Sequence, residues 1–577
     1  MYCDFLVDIP DVSGRMTRLA TKGATYINYQ YDRVYDPERQ FNIPKRATIG
    51  KQSGSDGSRM YPNQNYFRFF PDKKLPEEHD NSFRSSCLRI GAYLVISKII
   101  GFYELDEILG PIIGKDSGLL LDLAAYSIVC ENNAGQYYPE YAFNHPLFTA
   151  GMRMFTDSKV SAFLSSITIE KRVGFLNKWN SKCSKKDLIY ITYDSTNKNT
   201  QAGDLELAEF GHPKDDKGLP VVNYSVAYDL NDRLPLFYED YPGSIVDISQ
   251  LTCMVEKARA YGYRKLGFIL DRGYFSRGNI QFMDKCKYEF VIMVKGMKSL
   301  VSELILSSMG TFENKRACFI KDPLVYGTTV QARLYASDTK DRYFHIFHSI
   351  TKKGFDQLEL GDKLKAMACA MDKLIGKAVV LPQSYTQYYE ILRDPKSNAL
   401  IGYIEKQEAV EREMSLCGYF AIITSQRMTA SEACGLYDSR DASEKLFRGD
   451  KSYLGNNSFR TGSDESTSGK IFIEFIALIV RNRFYYLLRD ERLKLAKSPN
   501  YMTVPAAIRE LEKIEMIRQF DGVYRLDHAV TATQRTILKA FAMEADDIKN
   551  SADSLSGMLS PESKGASDGQ KKKQGGN

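Results

Sequence analysis

Histidine and tryptophan are scarce in this chain, with six of the first and one of the second in 577 residues. No histidine pairs with a Cys or Ser in a recognisable nucleophile arrangement, so histidine-based catalysis is not expected. His345 and His348 lie three apart on a predicted strand, which points them to opposite faces and away from a shared metal. The ten cysteines, from Cys3 onward, contain no C-x2-C pair, which argues against a zinc finger. With no signal-peptide pattern at its start, the chain is expected in a reducing cytoplasm. The nearest approach to a membrane span, Ile471–Val480, is interrupted by Glu474 and followed by Arg481 and Arg483, and so reads as a buried helix. A large charge excess is missing too. With 78 basic and 72 acidic residues the net charge is +6, so any anion-binding surface must be local.

What is present is ample apolar material, 43% of the chain, spread over a length that calls for two to four domains. Residues 24–51 alternate Tyr and Ile with polar residues, turn at Asp36-Pro37 and resume, which predicts a β-hairpin with basic residues on its second arm within an N-terminal region 1–85. Residues 86–185 are mostly of helical pattern. Short apolar runs alternate with a helix over 186–298, a β/α layout. More strands fill 299–425, helices return over 426–495, and 496–549 has helix-and-hairpin character that suits either a winged-helix-like module or a packing or dimerisation element. From residue 550 to 577 Ser, Gly, Lys and Asp dominate, so a disordered tail is expected.

Gly110–Gly118 almost spells a phosphate-binding loop, but it is one residue short and carries Asp116 where Ser or Thr should bind magnesium. An ATP site is not expected there. Two other stretches are more informative. "LIYITYDSTN" is a β-branched run with Asp194 at its predicted end, and "KLGFILDRGYFSRG" is a buried strand followed by Asp271, with a turn at Gly273 and a helix beginning near Ser276. Taken alone, each aspartate could be an ordinary turn residue. Between them lie an antiparallel meander and a helix, the order of an RNase H-like α/β fold, in which the first and fourth strands are neighbours. Two carboxylates brought together there repel unless divalent cations sit between them.

The stretch "YDSRDASEKLFRGDK" supplies a third carboxylate. Tyr437, Arg440, Glu444 and Lys451 stand at offsets 0, 3, 7 and 14, within roughly 60° of one another on a helix. Thr429 and Glu432 form a capping box that starts such a helix. A solvated face with an Arg440–Glu444 pair would also explain this stripe, but it leaves both aspartates unexplained. Three carboxylates would suit two hard cations about 3.5–4 Å apart, with the Tyr, Arg and Lys holding phosphates.

Asp194, Asp271 and Glu444 resemble the DDE triad of bacterial insertion-sequence transposases. Tyr437, Arg440, Glu444 and Lys451 are similar to the Y-R-E-K signature of the branch that carries a β-strand insertion of the kind seen here, about 170 residues between Asp271 and Glu444. The resemblance extends over most of residues 24–540, although the loop at Gly243-Ser244 departs from the family's usual Gly-Asn. It implies Mg2+ or Mn2+, two ions, bound by Asp194, Asp271 and Glu444, with Tyr437, Arg440 and Lys451 on terminal DNA phosphates. It further implies double-stranded DNA partners, the element's inverted repeats and a target, and a homodimer that cuts the ends and joins their 3′-hydroxyls to the target. It places such an enzyme on the nucleoid. The N-terminal hairpin and the helical region are the candidates for end recognition. The basic segment from Glu170 carries Trp179, which could stack on a displaced base or lie in a surface linker. A nuclease of the same fold, or a silent DNA-binding descendant, are the alternatives.

Overall fold

The computed structural model describes residues 2–3, 5–21, 24–54, 57–72, 84–183, 188–200, 205–210, 219–245, 247–295, 297–338, 341–441, 454, 458–497, 499–519 and 522–559. It is a mixed helix-and-sheet protein that divides into two compact units, residues 163–482 and residues 1–162 with 483–577.

In the first of these units ten strands share one sheet: β1 Ile189–Thr200, β2 Val221–Asp229, β3 Leu234–Pro242, β4 Leu266–Leu270, β5 Glu289–Met293, β6 Phe319–Ile320, β7 Val325–Ala332, β8 Arg342–His348, β9 Tyr419–Thr424 and β10 Ser458–Phe459. Their order is β6-β7-β8-β9-β5-β4-β1-β2-β3, with β10 beside β1. β4 runs parallel to both β1 and β5, and β1, β2 and β3 form an antiparallel meander. All nine residues of β2 and all five of β4 are buried, and β4, parallel to a strand on either side, reads accordingly as a continuous apolar run. A Cβ on Gly267 would lie 2.5 Å from the Tyr190 ring, so the glycine lets β1 close onto β4.

One expectation changes here. The first strand does not end at Tyr193. It continues through Asp194 to Thr200, because β2 offers a partner all the way from Val226 opposite Asp194 to Val221 opposite Asn199. Within 299–425, β7, β8 and β9 extend the main sheet from the edge of β5, while Tyr389–Arg393 and Leu400–Glu405 pair with each other.

Trp179 takes neither of the two places left open for it, on a displaced base or in a surface linker. It lies on the helix Ile169–Lys182, is 2% exposed, stacks on Phe175 and donates its indole N–H to the Pro235 carbonyl at 2.9 Å. A ring held there is core and cannot stack on a base.

In the other unit the hairpin Ala24–Asp36/Phe41–Gln52 is the centre of a five-stranded sheet. The helices from Gly91 to Asn144 follow. The C-terminal segment joins them: strand Glu515–Arg518 pairs with Tyr524–Leu526 and with Cys87–Arg89, and a Cβ on Gly91 would lie 2.2 Å from the Leu511 carbonyl. Residues 550–559 are helical, not disordered, because Ile548, Ala552 and Leu555 make a buried stripe on Ala545–Leu559. The remainder of the expected tail lies outside the described residues.

Candidate active site

The β1–β4 ladder pairs Leu266 with Ile189 and ends with Leu270 opposite Tyr193. The next residue on one strand is Asp271 and on the other Asp194. Parallel strands lie about 4.8 Å apart, so the backbone brings these two positions side by side at the end of the ladder. Both strands are fixed just before that point. Leu270 is fully buried, and the Tyr193 hydroxyl meets Ser225 Oγ at 2.6 Å and Glu239 Oε2 at 3.1 Å. After Asp271 a 3-10 turn, Arg272–Tyr274, leads to Ser276, whose hydroxyl caps the helix Arg277–Cys286 by accepting from Asn279 N at 3.1 Å. Asn279 in turn donates to the Tyr274 carbonyl at 2.9 Å, holding the turn.

The helix Ala430–Asp438 reaches this point across the sheet. Its capping box is present: Thr429 Oγ1 accepts from Glu432 N at 3.2 Å, and Glu432 Oε2 accepts from Thr429 N at 2.7 Å. Ala430, Cys434 and Tyr437, spaced i, i+4, i+7, pack in one core cluster with Ile269, Val291 and Ile422. The tyrosine of the polar stripe is therefore also the last apolar anchor of the helix, which explains its place among charged residues. Its hydroxyl donates to Asp271 Oδ1 at 3.4 Å, and Arg440 Nη1 stands 3.5 Å from the same oxygen. The Arg440 guanidinium lies 5.4 Å from the Tyr437 ring centroid. Burial pushes the Tyr437 hydroxyl well above its ordinary pKa, so it stays protonated as a donor.

The described helix closes at Asp438, with Ser439 as its C-cap. Tyr437 and Arg440 thus both reach Asp271. Glu444 and Lys451 lie outside the described residues, as does the side chain of Asp194. The arrangement is a partly open carboxylate, 37% exposed, contacted by a phenol and a guanidinium, at the end of β4 where its parallel ladder with β1 stops. Such a carboxylate can ligate a hard cation, and the guanidinium beside it can take a phosphate oxygen.

One group on the strand that carries Asp194 escaped the reading of the sequence. Lys198, four residues beyond Asp194 on β1, pairs with Glu474 at 2.7 Å, and both side chains are essentially without solvent. The Lys198 ammonium lies 4.8 Å from the Tyr224 ring centroid and 5.4 Å from that of Phe459. Lys470, one helical turn before Glu474, is buried with them. The available signal was Glu474 itself, a charge inside an apolar run.

No protein-family model matches the chain, and no curated protein matches it. Among solved structures it is similar to a cryo-EM structure of a piggyBac transposase synaptic complex with hairpin DNA, at 9% identity and a TM-score of 0.36, over 84% of this chain and 86% of that one. It is also similar to a Drosophila P element transposase strand transfer complex, at 11% identity and a TM-score of 0.13, over 63% of this chain and 80% of the other. Likenesses this weak decide neither fold nor mechanism. No helix among the described residues is long and apolar enough to cross a membrane.

Proposed function

We propose that this chain is a DDE transposase of the insertion-sequence type, acting through an RNase H-like core. The observation that carries the reading is the register: β1 and β4 run parallel and their ladder ends one residue before both Asp194 and Asp271. The sheet order β3-β2-β1-β4-β5, with its antiparallel meander and its parallel pairings, supports the same core. A helix arriving from beyond an insertion and placing Tyr437 and Arg440 on Asp271 supports the use of this point as a site.

The donor set suits hard divalent cations, because the Asp271 carboxylate stands partly open at the end of β4 and the backbone of β1 carries a second aspartate, Asp194, at the neighbouring position. Asp194, Asp271 and Glu444 would hold Mg2+ or Mn2+. When bound, such ions lower the pKa of an attacking water or 3′-hydroxyl and stabilise the leaving oxygen. The protein's own part is to position. Tyr437 keeps its proton and donates to Asp271, fixing which carboxylate oxygen faces outward. Arg440 brings a permanent positive charge to the place where a phosphate must lie, and Lys451 would add another. Its DNA substrates would be the inverted-repeat ends of its own element and a target duplex, held by a dimer.

The test incubates purified protein with DNA from either flank of its gene, a plasmid target and Mg2+ or Mn2+, comparing wild type with Asp271→Ala and Glu444→Ala. Cut and joined products that vanish in both variants while DNA binding persists are expected. Cutting without joining would replace the transposase by a nuclease. Products that survive in Asp271→Ala would overturn the site.

A further inference from the structure

The N-terminal hairpin projects beyond its sheet. Met16–Thr21 pairs with Ala24–Asp36 only as far as Tyr29, and Arg59–Pro62 pairs with the other arm only over Gly50–Gln52. From the pair Asp32–Lys45 to the pair Asp36–Phe41 the two strands therefore pair, among the described residues, with each other alone. Apart from Asp36 and Pro44, which are partly covered, every residue of this segment is exposed. At the base of the ribbon, Tyr31 stacks on Phe69 with ring centroids 5.1 Å apart, so the ribbon leaves the sheet from a fixed root.

Its two faces differ in charge. Cross-strand partners share a face, so Gln30–Arg46, Arg33–Pro44 and Tyr35–Asn42 form one face. Asp32–Lys45, Val34–Ile43 and Asp36–Phe41 form the other. Both carboxylates of the paired segment are on the second face, and Asp36 is turned into the hairpin loop, accepting from Glu38 N at 3.0 Å. The first face has two arginines, an asparagine and a tyrosine that is 58% exposed, with no acid among them. A chain with nearly balanced charge has here sorted it across the thickness of two strands.

We propose that this acid-free face of the hairpin lies in a groove of double-stranded DNA, with Arg33 and Arg46 on phosphates or guanine edges and Asn42 and Tyr35 between them. The inference deepens the transposase reading by naming the element that grips the duplex, and it rests on that reading for the choice of DNA. The dimensions suit the partner. A major groove about 12 Å wide admits a two-stranded ribbon. From Asn42 to Arg46 the face extends about 13 Å, roughly four base-pair steps. Arginine and asparagine are the side chains that pair bidentately with guanine and adenine edges.

The experiment measures binding of full-length protein to short fluorescein-labelled duplexes, one set from the DNA flanking the gene and one shuffled set of equal composition, over a range of salt. Arg33→Ala/Arg46→Ala is expected to bind at least about tenfold more weakly and to reduce the magnitude of the slope of log K against log salt by about 1 for each of the two that sits on a phosphate. Arg33→Lys/Arg46→Lys should recover the slope. Val34→Thr/Ile43→Thr, on the opposite face, should bind like wild type. Unchanged affinity and slope in the double alanine variant would overturn the inference. So would an equal loss in the Val34/Ile43 variant, which would make the ribbon a protein-docking element. Because binding needs no cleavage, the two readings separate. Wild type that binds through the ribbon but never cuts sinks the transposase and keeps the ribbon, cutting with an indifferent ribbon does the reverse, and no binding to either duplex sinks both.

Discussion

Removing Glu474 should cost more stability than removing its partner Lys198, although the two share one ion pair. The pair is 2.7 Å long with both side chains out of solvent. At an effective dielectric near 20 the attraction is about 6 kcal/mol, and desolvating two ions offsets most of it. The net value of the pair is therefore small, and the cost of a substitution depends on what charge is left behind. Glu474→Gln removes the carboxylate 2.7 Å from the Lys198 ammonium, the same carboxylate whose charge acts on buried Lys470. Taking one partner out of a buried pair in this way costs about 3–5 kcal/mol. Lys198→Met fills the same channel between Tyr224 and Phe459 and leaves Glu474 with Lys470, so its cost should be about 1–2 kcal/mol.

Lys470 also fixes the pH dependence. Burial pushes its ammonium down to about 8, against the pull of Glu474, which raises it. The unfolded chain therefore binds more protons between pH 8 and the ordinary lysine value near 10.4, and stability rises with pH over that window. Without Glu474 the rise should begin lower and be larger. Urea unfolding followed by fluorescence is suited to the test, because Trp179 is the only tryptophan and lies buried in the same unit. Its Phe175 neighbour packs edge-on against Phe472 of the helix that carries Glu474. If Lys198→Met costs as much as Glu474→Gln, or if the alkaline gain is the same in both, Lys470 does not share the carboxylate and the reasoning fails.

Trp179→Phe should lower stability by about 1–3 kcal/mol through the lost volume and the orphaned Pro235 carbonyl, while DNA affinity stays within twofold. Circular dichroism and a binding titration check this, and a large loss of affinity in a folded variant would restore the base-stacking role. His345 is fully buried between Thr329 and Thr424, and burial lowers its pKa to about 4. It must stay neutral in the fold, so its contribution is complete above pH 6.5 and is lost as the pH falls toward 4, by up to about 3 kcal/mol. The stability gap between wild type and His345→Gln should therefore shrink across that window, and a gap constant with pH would refute it.

Local features were legible in the sequence because neighbours along the chain decide them. The turn at Asp36-Pro37, the Thr429/Glu432 capping box and the buried run before Asp271 all lie where their patterns predict. What pairs at long range was less legible. "STNKNT" after Asp194 is polar and reads as a loop. It is a strand because β2 lies along one side, and because Glu474, over 270 residues later, neutralises the one lysine that would forbid its burial. A charge in an apolar run demands a partner wherever the run is buried. The sequence states that demand at Glu474 without naming who meets it, and the fold answers with Lys198. The buried pair thus ties the long helix Asp464–Arg492 to the strand on which Asp194 sits. The backbone position of Asp194, next to that of Asp271 at the end of the β1–β4 ladder, depends on how β1 is held, so this pair bears on the same strand as the proposed site.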